Sequence, residues 1–97
     1  MKDIDRLSKQ ILEVLMPFGV RRVSLFGSVA RGEDSPESDI DILVQFKKPV
    51  GLLTLARLRR ILSQKLGRKV DLLTEGAINP LIRPIIEKDK VILYEER

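Results

Sequence analysis

An α/β domain with helices laid against a small sheet is the fold class this sequence predicts, and three observations predict it. Apolar residues recur at spacings of three and four in some segments and in short alternating or continuous runs in others. The two kinds of segment interleave along the chain. Glycine or proline stands at most of the junctions between them. Ninety-seven residues give one core and little material for a second lobe, so residues 1–97 are expected to form one domain.

The elements follow in order. Ile4, Leu7, Ile11, Val14 and Leu15 mark an amphipathic helix that Asp3 can cap and Pro17 limits. Arg22 to Phe26 reads as a strand, Ser28 to Arg31 as the first turn of a helix, and Ser35-Pro36 as loop. Ile40 to Phe46 is a second strand. After Pro49 and Gly51 comes the longest helical pattern, with Leu52, Leu55, Leu58, Ile61, Leu62 and Leu66 as its apolar stripe and Gly67 as its C-terminal cap. Lys69 to Thr74 is a third strand. Asn79-Pro80 opens a last helix through Leu81, Ile82, Ile85 and Ile86, which Pro84 kinks or shortens, and Val91 to Tyr94 is a final strand. Element order alone does not fix the strand directions.

Composition narrows the chemistry. Without cysteine or histidine there is no thiolate nucleophile, disulfide or imidazole base, so carboxylates, hydroxyls, lysine and arginine remain. No apolar run approaches the ~20 residues that span a bilayer, and Met1-Lys2-Asp3-Ile4-Asp5 lacks a signal peptide's apolar stretch, so the expected location is cytoplasmic, away from membranes. The formal charge of +4 is segregated: Glu33 to Asp41 is rich in acid, whereas Arg57 to Lys69 is basic with no acid.

One stretch concentrates the candidates. Gly27-Ser28 ends an apolar strand, and Asp39 and Asp41 follow in alternation, which places both carboxylates on one strand face with Cα atoms about 7 Å apart. Such a pair suits Mg²⁺, which takes hard oxygen ligands. Standing alone, the alternation is more often the wet face of a half-buried strand. Gly27 lets the backbone approach an anion, and Ser28 can donate its hydroxyl to a phosphate oxygen. Asp71, central in the third strand, is a candidate third carboxylate, either a metal ligand and proton acceptor or a solvated strand residue. Arg31, three residues after Ser28, can return to the anion site or remain a surface arginine, and Ser38 either contacts phosphate or starts the strand.

Gly27-Ser28-Val29-Ala30-Arg31-Gly32 followed by Ser38-Asp39-Ile40-Asp41 resembles the signature of the minimal nucleotidyltransferases of the polymerase-beta-like superfamily. Val70-Asp71-Leu72 falls where that family places its third carboxylate, and Arg83, Ile85-Ile86 and Val91 to Tyr94 are similar to its C-terminal segment. The resemblance covers nearly the whole chain. It implies a single small nucleotidyltransferase domain with a mixed sheet flanked by helices. It implies Mg²⁺, as one or two ions, at Asp39, Asp41 and Asp71, with Gly27, Ser28, Arg31 and Ser38 around the nucleotide. It implies ATP as donor, transfer of AMP to a hydroxyl and release of pyrophosphate. It also implies a partner: stand-alone members of this size are typically antitoxins encoded beside HEPN-domain RNase toxins, and some adenylylate a tyrosine of the toxin, so a hetero-oligomer with such a toxin is the expected assembly. The alternative is an antitoxin that neutralises by contact without catalysis. Direct nucleic-acid binding is not expected, because the solvated face of an amphipathic helix accounts for most of the basic run at Arg57, Arg59, Arg60, Lys65, Arg68 and Lys69.

Overall fold

The structure, a computed structural model, describes all residues except Met1, Asp34, Pro36 and Arg97, and the side chains of all of these except Lys2 and Asp3. Helix α1 (Lys2–Leu15) is followed by a 3₁₀ turn over Met16–Phe18 and strand β1 (Val20–Phe26). The short helix α2 (Gly27–Arg31), strand β2 (Ile40–Phe46), helix α3 (Leu52–Leu66) and strand β3 (Val70–Thr74) come next. A second 3₁₀ turn at Glu75–Ala77, helix α4 (Arg83–Asp89) and strand β4 (Val91–Glu95) complete the order. The expected cap at Asp3 concerns a side chain outside those described.

The four strands form one mixed sheet in the order β3-β2-β1-β4, as expected from the resemblance. Strand β1 pairs antiparallel with both β2 and β4, whereas β2 and β3 run parallel. Parallel neighbours need a long crossover, and α3 supplies it. Alternation along the strands divides the sheet into two faces. Val23, Leu25, Ile40, Ile42, Val44 and Val70 pack against Ile11 and Leu15 of α1 and Leu58 and Leu62 of α3 in the main core. On the opposite face Leu43 packs with Ile78, Ile86 and Phe26, so α4 and the segment before it cover that side.

Two sequence expectations change. The apolar stripe of α3 is shorter than its pattern: Leu58 and Leu62 are fully buried, but Leu52 is 84% exposed and Ile61 also reaches solvent. Leu52 and Leu55 instead line an open groove with Val44, Phe46, Pro49, Val50 and Thr74 at the C-terminal end of β2, because the first turn of α3 lies beyond the main core. The last helix begins at Arg83 rather than at Asn79-Pro80, with Pro84 in its first turn, where a missing N–H costs nothing. Asn79 forms the preceding turn: its Oδ1 accepts from the Leu81 amide at 2.9 Å and its carbonyl accepts from the Ile82 amide at 3.0 Å.

Candidate functional site

The register of the sheet brings distant residues to one place. Asp41 stands opposite Phe26, the last residue of β1, on one side and opposite Asp71 on the other. Gly27 and Ser28 therefore begin α2 immediately beside Asp41. Gly27 has φ +72°, a left-handed conformation that L side chains disfavour. A Cβ there would overlap Asp41 Oδ2 and stand 3.2 Å from its Cγ, so glycine is required by the carboxylate as well as by the turn. Gly32, also left-handed, ends α2, its amide donating to the Val29 carbonyl at 3.1 Å.

The electrostatics follow from that packing. Burial, with the Asp71 charge beside it and Asp39 nearby, pushes the Asp41 carboxyl up to about 6 from 3.8, and Arg31 acts in the opposite direction. At the ~4.8 Å spacing of neighbouring strands and an effective dielectric of about 20, two carboxylates repel by roughly 3 kcal/mol. Among the described residues no three acidic side chains close into a metal cage. The donor set nevertheless fits Mg²⁺, which commonly takes one or two protein carboxylates and completes its shell with water and substrate phosphate. A dication would relieve the crowding that holds the Asp41 proton.

The remaining candidates are placed differently. Asp39 precedes β2, and its Oδ2 lies 3.8 Å from Lys69 Nζ. Arg31 ends α2 and pairs with Glu33 at 3.4 Å and with Asp89 of α4 at 3.5 Å. The Ser38 hydroxyl accepts from the Ser35 amide at 2.9 Å, which gives it a role in shaping the turn. Ser28 is half-buried at the head of α2.

Sequence reasoning missed Arg68. Assigned to a solvated basic run, it is instead partly buried and donates to the Ser38 carbonyl at 2.8 Å and to the Ser35 carbonyl at 3.0 Å. Lys65 likewise pairs with Glu13 at 2.8 Å and lowers that carboxyl's pKa, whereas Arg57, Arg59 and Arg60 are exposed. No linear signal marks such partners, because they depend on how α3 is set against α1 and on how the segment after α3 meets the approach to β2.

Comparison with known proteins decides the family, since residues 7–93 match the nucleotidyltransferase domain. The chain belongs to the nucleotidyltransferase family. A Methanocaldococcus jannaschii relative, named “Putative protein adenylyltransferase MJ0435”, is 43% identical over 92% of this chain and 96% of its own. The protein adenylyltransferase MntA of Thermococcus cleftensis is 38% identical over 76% of this chain and 75% of its own. Two solved structures share the fold. A chain of a toxin-antitoxin crystal structure with AMP-PNP superposes with a TM-score of 0.84 at 22% identity, covering 93% of this chain and 74% of that one. A chain from a tri-AMPylated Shewanella oneidensis HEPN toxin in complex with MNT antitoxin gives 0.77 at 20% identity, covering 98% and 73%. This nucleotidyltransferase is thus a small four-stranded member among adenylyltransferase relatives, and none of its described helices is long and apolar enough to cross a membrane.

Proposed function

We propose that this chain, acting as one domain over residues 1–97, transfers AMP from ATP to a hydroxyl, a tyrosine in the leading reading, of a partner HEPN RNase toxin in the cytoplasm, and so serves as its antitoxin. The observation that supports this most is the in-register pair Asp41 and Asp71 beside the left-handed Gly27. The relatives named adenylyltransferases, the AMP-PNP complex and the AMPylated HEPN toxin support the donor and partner.

Gly27 and Ser28 receive the triphosphate, with Arg31 and Ser38 at its edge. Asp39 and Asp41 would hold Mg²⁺, and Asp71 would complete the metal site or accept the proton of the attacking hydroxyl. Bound Mg²⁺ would neutralise charge on the triphosphate oxygens. The acceptor oxygen bonds to the α-phosphorus, its proton passes to a carboxylate, and the bond to the bridging oxygen breaks to release pyrophosphate. Incubation with Mg²⁺, labelled ATP and the HEPN partner is expected to label the partner. Asp39→Asn and Asp41→Asn should each lower the rate by at least about 10–100-fold, the loss that follows when even a partner of a metal ligand is removed. An unlabelled partner, or variants equal to wild type, would refute the transfer.

A reading by contact alone has one observation in its favour: Leu81 and Ile85 are 83% and 64% exposed around α4, an apolar surface available to a partner. An Asp39, Asp41 and Asp71 triple asparagine variant that still neutralises the toxin fully would select it.

A further inference from the structure

The connection between α3 and β3 grips the approach to β2 with two consecutive cations. Arg68 donates from Nη2 to the Ser38 carbonyl at 2.8 Å and from Nε to the same oxygen at 3.2 Å. The same Nη2 reaches the Ser35 carbonyl at 3.0 Å. Ser35 and Ser38 close a turn between them, the Ser38 amide donating to the Ser35 carbonyl and the Ser35 amide to Ser38 Oγ, both at 2.9 Å. The guanidinium thus holds both ends of that turn. Lys69 continues the grip: its Nζ faces Asp39 Oδ2 at 3.8 Å and its carbonyl accepts from the Ile40 amide at 2.9 Å.

The paired register of β2 and β3 starts at Ile40 opposite Val70, so Asp39 lies just outside it. Its position is set by the turn that delivers it. We infer that Arg68 is a positioning residue for Asp39, fixing the Ser35–Ser38 turn against the head of β3 and thereby setting where the Asp39 carboxylate stands relative to Asp41. The inference rests on the reading of Asp39 as a metal ligand. A planar fork can hold two carbonyls at once, whereas a lysine ammonium on a flexible stem is a compact point charge, so arginine is not exchangeable here.

Amide hydrogen exchange on the metal-free chain and titration with Mn²⁺, a paramagnetic stand-in for Mg²⁺, test this in wild type, Arg68→Ala and Arg68→Lys. Arg68→Ala should speed exchange of the Ser38 amide by about tenfold or more while the amides of β1 and β2 keep their protection. It should also weaken Mn²⁺ binding by about tenfold, as loss of a group that orients a ligand does. Arg68→Lys should stay folded and recover only part of both. Ser38 exchange within twofold of wild type, or unchanged Mn²⁺ affinity, overturns the inference. If Arg68→Ala opens the whole sheet, wild-type Mn²⁺ affinity in folded Arg68→Lys overturns it instead. A wild-type chain that binds Mn²⁺ no better than Asp39→Asn refutes the metal reading itself, while the exchange measurement still reports on the clamp.

Discussion

Asp41→Asn should make the metal-free domain more stable at neutral pH, because a raised carboxyl pKa works against the folded state whenever the group is ionised. The folded carboxyl titrates at about 6, against 3.8 without the fold. Below 3.8 both states hold the proton and Asp41 contributes nothing. Between the two values the folded state binds more protons than the unfolded one, so stability falls as pH rises through this window, and the full loss is present above 6. The difference between 3.8 and about 6 corresponds to at most ~3 kcal/mol. Asp41 is half-buried, so solvent screening brings the expected figure to about 1–2 kcal/mol. That is roughly 5–10 °C in Tm for a domain of this size. The assay is urea unfolding of both chains in EDTA at pH 4, 5, 6 and 8. Glu13 and Glu87, whose pKa values are lowered by Lys65 and Lys90, favour the fold as pH rises, but that trend is common to both chains and cancels in the difference. An advantage of the variant that grows from near zero at pH 4 is the expected result. A difference flat across the series, or a variant less stable at pH 8, would refute the reasoning.

Gly27→Ala combines a left-handed backbone with an overlap on Asp41, and should lower stability by about 2–4 kcal/mol in denaturant titration, together with a loss of fluorescent ATP-analogue binding. Wild-type stability and binding would remove the steric account of that glycine. Ser24 is fully buried in β1 and its hydroxyl has no hydrogen-bond partner among the described residues. Ser24→Ala should therefore leave stability unchanged or raise it by up to ~1 kcal/mol, and a loss above 1 kcal/mol in urea unfolding would reveal a partner for the hydroxyl.

Where periodicity and punctuation agree, the elements are legible in the sequence itself. Ile40 to Phe46 has the expected bounds, and Leu52 to Leu66 is enclosed by the two glycines that frame it. Gly27 was legible because a turn was needed at the strand end, yet its second reason, the Asp41 carboxylate, becomes visible only once β1 and β2 are paired. The Asp41–Asp71 juxtaposition depends on parallel register, which no local pattern encodes. The exposure of Leu52 was hidden for the opposite reason: a helical stripe shows which face is apolar but not where the partner surface ends. Arg68 illustrates the same limit for charge, since the Ser35 and Ser38 carbonyls it holds belong to the backbone and carry no signature in the sequence.

The pairing of β2 with β3 has a consequence for how such a protein comes to be active. Side chains alternate with a period of two, so a one-residue slip of β3 would turn Asp71 into the core beneath α3 and push Val70 out to water. Sealing the core and aligning the two carboxylates are then a single event. A nascent or partly opened chain cannot present the acidic pair while the core is incomplete, because the burial of Val70 sets the register that aligns them.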